Sequence, residues 1–424
     1  MAFQHGLSGL NAASKNLDVI GHNIANANTT GFKASRAEFA DMVASAIGGA
    51  GGSNVGIGVQ VAAVAQQFSQ GNLTVTGNTL DVAINGSGFF MLQQPDGSSA
   101  YTRAGNFKLD KDGDLKTNSG ARVLGYPIDP ATGLRTATVP GPLNFPSSQP
   151  IAAKQTTTVT AAFNLDARAY DAAGVPATPG PPPTPAIPPT PRATYGTSIN
   201  VFDSQGVAVP VTLYFQKTAT DNEWEVYDSL DLAAPSRGTI TFDNNGAITG
   251  PVAPAPATGF GLTLSVDPSP PNPNNLPAFN VLVNLDDVTQ FGSKFAVSDL
   301  SQDGYASGEL TGINIEASGM IMARYSNGMT RAEGQVALAN FRNPQGLMAV
   351  GNNNWVETFE SGQPVMGTPT DGNFGALRSG ALEDSNVDLT AELVNMMTAQ
   401  RTYQANAQTI KTQDQVMSTL VNLR

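Results

Sequence analysis

The chain has 424 residues, enough for about two to four domains and a substantial buried core. Charged residues make up 13%, about half the usual share, and the formal net charge is −12, from 22 basic and 34 acidic residues. No run of Lys or Arg offers a phosphate footprint, so nucleic acid is excluded as a partner, and the negative charge opposes adhesion to an anionic membrane surface.

The absence of cysteine excludes disulfides, thiolate metal sites and cysteine nucleophiles. No apolar run reaches the ~18 residues of a membrane span, so no membrane insertion is expected. The opening "MAFQHGLSGLNAASKNL" lacks both a basic n-region and a continuous apolar h-region, so a leaderless route is expected if the protein works outside the cell.

From the N-terminus, residues 3 to 27 carry a heptad pattern without proline. Phe3, Leu10, Leu17 and Ile24 share one position, and Gly6, Ala13, Ile20 and Ala27 share its companion. Asn26 and Asn28 tolerate a left-handed helix end and Gly31 adopts one without strain, so the helix is expected to hand over to an extended arm here. "IGGAGGSNVGIGVQV" then places Gly48, Gly49, Gly51, Gly52, Gly56 and Gly58 in a stretch expected to act as a pliable joint.

Between about residues 70 and 360 the period changes to that of short antiparallel strands. "LTVTGNTLDVAINGSGFFMLQ", "VTLYFQKTATDNEWEVYD" and "ITFDNNGAITG" are β-rich runs punctuated by Gly and Asn. "FKLDKDGDLKT" is a hairpin candidate turning at Asp112-Gly113, with Phe107, Leu109 and Leu115 on one face. "GVPATPGPPPTPAIPPTPR" holds nine prolines and reads as an extended surface loop, as does the shorter "SVDPSPPNPNNLP".

The C-terminus returns to helix over "SNVDLTAELVNMMTAQRTYQANAQTIKTQDQVMSTLVNLR". Ser385 is the expected N-cap, with Asp388 three residues later. Leu389, Met396, Tyr403, Ile410 and Met417 recur every seven residues, with Leu393, Gln400, Ala407, Asp414 and Val421 as companions. The polar face is mostly Asn, Gln and Thr rather than Glu–Lys pairs, which suits packing on several sides or lining a water-filled channel.

Chemistry-bearing motifs are scarce. Asp110, Asp112 and Asp114 alternate, but Gly113 and Ala121 stand where a calcium loop needs other residues, so the segment reads as a turn. Gly56 and Gly58 lack the third glycine of a dinucleotide loop, and no phosphate loop or nucleophile elbow is present. His5 and His22 both lie in the first helix and form no legible triad. Paired carboxylates meet only in three dimensions, but an enzyme has no positive support in the sequence, and no catalytic residue, metal or cofactor is expected.

Three stretches resemble one family. "NIANANTTGFK" is similar to the N-terminal signature of the bacterial flagellar rod and hook proteins, carried here by Asn23, Ala25, Asn26, Thr29, Gly31, Phe32 and Lys33. The C-terminal helix resembles theirs, and "LDVAINGSGFFML", "YTRAGNFKLDKDGDL" and "GQVALANFRNPQGL" resemble their shared β-domain. The matches cover about half the chain. Length, the inserted β region and "IAAKQTTTV" favour the hook branch over the distal rod.

The resemblance implies a mainly β fold with α-helical termini. The termini pair as a coiled coil, with two β-rich domains nested between them. The implied domains are residues 1–30 with 383–424 (helical), 31–70 with 359–382 (linking arm), 71–148 with 290–358 (inner β) and 149–289 (outer β). It also implies a self-assembling helical tube that bends while carrying torque. The terminal helices would pack between subunits through Phe3, Leu10, Leu17, Ile20, Ile24, Leu389, Leu393, Met396, Tyr403, Ile410, Met417 and Val421, lining the inner wall with the β domains outward.

Implied partners are further copies of the chain, the distal-rod protein, the hook–filament junction protein, the hook assembly cap, the hook-length control protein and the flagellar type III export apparatus. Implied localisation is the extracellular hook, reached without a cleaved signal peptide. The rival readings are a straight distal-rod protein, a secreted surface adhesin suggested by the β-rich and Pro-rich regions, and a secreted hydrolase.

Overall fold

The computed structural model describes residues 2–43, 56–129, 132–145, 150–174, 176–177, 186–269 and 271–422. Two helices bracket the chain: α1, Ala2–Ala25, and α2, Leu389–Asn422. Both run through proline-free sequence, and they pack on each other. The α2 N-cap is Asp388 rather than the expected Ser385. The Asp388 carboxylate accepts the Thr390 and Ala391 backbone N–H groups at 2.9 and 3.1 Å, while the Ser385 hydroxyl accepts only from Val387 N.

The end of α1 also differs from expectation. Neither Asn26 nor Asn28 is left-handed; Gly31 alone takes positive φ, at +70°. Asn26 instead turns its amide back to the His22 carbonyl at 2.9 Å and its oxygen to the Thr29 hydroxyl. The helix is therefore closed by side-chain hydrogen bonds, and the reversal is delayed to the glycine.

Two strands follow as an antiparallel hairpin, β1 (Ser35–Val43) and β2 (Gly56–Gln66), with Ser35 opposite Gln66. It packs along α1, where His5 Nε2 lies 2.8 Å from the Gly56 carbonyl and the Val59 N–H reaches the Ser8 hydroxyl. Gly58 has φ +132°, and a Cβ there would lie 2.2 Å from Ser8 Oγ. Of the expected pliable joint, Gly58 is closely packed against Ser8 and Gly56 opens the second strand opposite Val43. Gly48, Gly49, Gly51 and Gly52 lie outside the described residues.

The chain separates into two compact units, residues 1–148 with 310–324 and 330–424, and residues 149–309 with 325–329. In the first, a 13-stranded sheet runs through strands 310–315, 320–325, 330–336, 122–127, 89–93, 99–102, 354–356 and 348–351. Strand 89–93 is buried on both faces, and its two-residue period sends Phe90 and Leu92 into one core and Phe89 and Met91 into another. Residues 365–367 and 376–379, expected in a linking arm, are strands of this unit, paired with 338–340 and 82–85.

The hairpin at Asp112-Gly113 forms as expected, with Phe107 and Leu115 buried and Leu109 against the same core. Its carboxylates are engaged by side chains: Asp110 and Asp114 both pair with Lys116, and Asp114 also with Arg122.

The second unit has two five-stranded sheets around one core built on Trp224, Phe215, Phe163 and Leu165. Strand 158–166 alternates buried and half-buried residues throughout. It pairs in parallel with 279–284 and 289–291, against the antiparallel expectation. The second sheet intervenes in sequence, so no tight hairpin constrains the direction of the returning strands. The unit also continues to residue 309, past the expected boundary at 289, because strand 296–302 pairs with 158–166.

Asp303 pins that return. Burial raises its pKa, but hydrogen bonds from the Thr158 and Thr157 backbone, the Thr157 hydroxyl and Lys154 outweigh it and hold the carboxyl at about 2. A depressed folded-state pKa adds stability above the unfolded value, lost as pH falls through the folded one. We expect about 1–2 kcal/mol of this unit's stability to disappear between pH 5 and pH 2. Urea unfolding followed through Trp224 should show this loss, and Asp303→Asn should abolish that component of the pH slope.

Candidate assembly surface

The first helix meets the second most closely at two glycines, Gly6 and Gly9. Gly6, Ala12, Ala13, Ile20 and Asn23 are buried, and a Cβ on Gly6 would lie 3.0 Å from Ile410 Cγ1. A Cβ on Gly9 would lie 3.0 Å from the Asn406 amide. Such close approach is possible only where side chains are minimal, and it sets the register.

The observed seam therefore departs from the heptads. In α1 the Gly6–Ala13–Ile20 row is inside, but Phe3 is exposed and Leu10, Leu17 and Ile24 are half-buried. In α2, Met396 and Ile410 are half-buried, yet their inward companions are Ala399 and half-buried Glu392, Asn406 and Gln413. Leu393, Gln400 and Asp414 are exposed. Leu389, Leu393, Val394, Met397, Tyr403, Val416 and Met417 all leave apolar surface bare. Val421 falls within α2, and its side chain lies outside the described residues.

Between α1, α2 and the hairpin lies a cavity of about 710 Å³, lined by Ala13, Asn16, Ile20, Phe39, Ala399 and Thr402 among others. Its wall carries no cluster of ligating groups, and among the described residues no three His, Cys, Asp or Glu converge on a metal position.

The N-terminal signature is explained by a buried ionic latch. Asn23, 1% exposed, exchanges two hydrogen bonds with the Ser35 backbone at 2.8 and 2.9 Å, fixing the turn after the helix. Gly31 brings the chain against Ala104, where a Cβ would meet backbone at 2.6 Å. Phe32 is buried, its ring 5.4 Å from that of His22. Lys33 then reaches Glu383 at 2.6 Å, both side chains 0% exposed, and donates a second bond to the Ser69 carbonyl. Ala25 is the exposed last residue of α1.

Glu383 completes the latch from the far end of the sequence. Its second carboxylate oxygen takes Arg103 Nη1 at 3.2 Å, and its first also accepts the Gly71 N–H. Arg103 donates to the Gly86 carbonyl and lies 5.3 Å over the Phe89 ring. Burial lowers the Lys33 pKa, opposed by Glu383, and lowers that of Arg103 likewise. Asn386 accepts the Ala34 N–H and donates to the Gln67 carbonyl, and Asn353 donates to the Thr30 carbonyl.

Arg103, Glu383, Asn353 and Asn386 were not singled out in the sequence. The available signal is that a chain so poor in charge sets Arg103 inside "YTRAGNFKLDKDGDL" and Glu383 two residues before the C-terminal helical stretch. Their partner, more than 300 positions away for Glu383, is visible only in three dimensions.

Glu383→Ala leaves two buried cations without a counter-charge and should destabilise this unit by about 3–5 kcal/mol. Lys33→Ala should cost less, because Arg103 still neutralises Glu383. Trp355 in a Trp224→Phe background isolates the unit, since the chain has two tryptophans. Equal unfolding midpoints for the three proteins in urea would show the latch to be dispensable.

Four family models tile the chain: "Flagella basal body rod protein" over residues 3–33, "Flagellar hook protein FlgE/F/G D1 domain" over 83–161, "Flagellar basal body protein FlaE D2 domain" over 164–305 and "Flagellar basal body rod FlgEFG protein C-terminal" over 378–423. The chain is 42% identical over 434 residues to the flagellar hook protein FlgE of Salmonella typhimurium and 43% over 436 residues to that of Escherichia coli, covering 100% of each chain. It is 35% identical to the FlgE of Borreliella burgdorferi, over 99% of this chain and 98% of the relative. The crystal structure of the Helicobacter pylori flagellar hook protein FlgE2 matches its fold at a TM-score of 0.51 and 15% identity, over 73% of this chain and 100% of that one. With end-to-end identity at this level and helices, latch and β units in place, the chain belongs to the flagellar hook protein FlgE family.

Proposed function

We propose that this chain is the structural subunit of the bacterial flagellar hook. It self-assembles into a flexible helical tube outside the cell and transmits torque from rod to filament as a universal joint. The observation that carries the assembly surface is the pairing of the terminal helices with their apolar rows still bare. Leu389, Leu393 and Met397 follow one another at four-residue spacing and are each about half exposed. A row of that kind needs a neighbour, and a neighbour displaced along an axis produces a tube.

The finer partners follow from this reading. A tube between rod and filament meets the distal-rod protein at one end and the hook–filament junction protein at the other. Its growth involves the assembly cap, the length-control protein and the type III export apparatus, with the N-terminus retained. Phe3, Leu10, Leu17, Ile20, Ile24, Met396, Tyr403, Ile410, Met417 and Val421 divide, in this reading, between the intrachain seam and contacts to adjacent copies. The distal-rod alternative rests on the rod-protein models that match both terminal segments, and it predicts straight tubes.

The test is seeded growth of the full chain on hook fragments, imaged by negative-stain electron microscopy. Curved tubes support the hook and straight ones the rod. Leu393→Gln with Met397→Gln keeps helix propensity while removing apolar surface. At roughly 1.5–3 kcal/mol per buried side chain, the concentration needed for growth should rise at least about tenfold. Growth at the wild-type concentration would remove these residues from the interface.

A further inference from the structure

The turn Thr358–Gly362 holds an aromatic side chain entirely in solvent. Phe359 is 102% exposed, while Ser361, two residues on, is 1% exposed. The turn is pinned from inside. The Thr358 N–H donates to Ser361 Oγ at 2.9 Å, and the Glu360 and Ser361 N–H groups both donate to Thr358 Oγ1. The Ser361 hydroxyl donates to the Thr358 carbonyl, and Gly362 closes the turn at φ +71°.

The turn is also tied to the neighbouring loop. The Thr358 hydroxyl donates to the Gly346 carbonyl at 2.6 Å, and Asn343 donates to the Glu360 carbonyl. Gly346 fits so closely that a Cβ there would lie 2.5 Å from Ser361 N. A phenyl ring at the tip of a mobile loop could fold back onto the surface. This backbone is held at both ends, and the ring remains out.

Two edge strands flank the turn. Residues 348–351, which follow the Gly346 loop, end the large sheet and are exposed along their whole length, with Met348 and Val350 bare. Residues 365–367, which follow the Phe359 turn, pair among the described residues only with 338–340 and expose Val365 and Met366. Such edges invite a covering partner. Arg342 and Glu360 at the same corner are both exposed, and among the described residues neither makes an ion pair.

We infer that Phe359 is a preformed anchor that inserts into a second copy of this chain. The occupant is a second copy because the chain belongs to a family of self-assembling subunits, and like-charged copies of net charge −12 meet with least repulsion through apolar surface, here the bare Met348, Val350, Val365 and Met366 beside the ring. A rigid aromatic buried at an interface loses little conformational entropy, which is the property of residues that dominate binding energy. A knob received by a different surface of the next copy makes an open, head-to-tail contact, as a helical tube requires. This rests on the hook reading and assigns it a second contact, apart from the terminal helices.

The test uses the full chain in the same seeded growth. Phe359→Ser should leave the monomer's thermal midpoint unchanged, because the ring touches nothing in its own chain, yet raise the concentration needed for growth by about tenfold or more. Phe359→Trp should restore growth. A photo-reactive benzoylphenylalanine at position 359 should yield cross-linked dimers on irradiation of assembled tubes. Normal growth by Phe359→Ser, or tubes that give no dimer, would overturn the inference while leaving the hook reading intact. Failure of the wild-type chain to extend seeds would overturn both.

Discussion

Glu383 brings the two ends of the chain to one point. Its carboxylate receives Lys33 from the arm after the first helix and Arg103 from the β region, all three shielded from water. A buried ion pair of this kind adds less net stability than its short distances suggest, because desolvation offsets much of the attraction. Its consequence is positional. Any register other than the native one would strand a charge in a low-dielectric interior, so the arm, the sheet and the strand before α2 can join in only one way. The paired helices are then launched from two fixed points, through the Asn23–Ser35 turn on one side and Asn386 on the other.

That launching geometry decides which helix faces meet. Gly6 and Gly9 stand against Ile410 and Asn406, so the helices approach closely there, while Leu389, Leu393 and Met397 are turned outward. A helix pair in an ordinary monomeric protein spends its Leu, Met and Phe on its own seam. Here Gly6 and Gly9 make the close approach to α2, and Leu389, Leu393 and Met397 are left exposed in the single chain.

The sequence made both helices, the β-rich middle and the Asp112-Gly113 hairpin legible, because each depends on local period or turn chemistry. It misplaced what depends on long-range pairing. Leu10, Leu17 and Ile24 are only half-buried while Gly9 meets Asn406, because periodicity identifies an apolar stripe without saying what covers it. Parallel pairing of 158–166 escaped for the same reason: its partners lie beyond an entire intervening sheet. Lys33 was visible as a family signature residue, but its meaning required Glu383 and Arg103. Phe359 gave no signal at all, since an isolated phenylalanine in sequence reads as core.

The polar face of α2 completes the physical logic of an interface. Covering a hydroxyl or an amide with another chain is costly when its hydrogen bond to water is not replaced. Along α2 the hydroxyls of Thr398, Thr402, Thr409 and Thr419 donate back to the carbonyls of Val394, Thr398, Ala405 and Gln415, each at 2.8–3.0 Å. These groups are already satisfied within their own helix, so a neighbour can cover them without orphaning a donor. A face of Lys and Glu would instead require desolvating charges at every contact and pairing them in one register. On the proposed assembly surface, self-satisfied threonines beside exposed leucine and methionine would allow contacts in more than one register, each modest in energy. In the proposed tube such contacts would exchange as it curves, while the latch holds each subunit's own fold fixed.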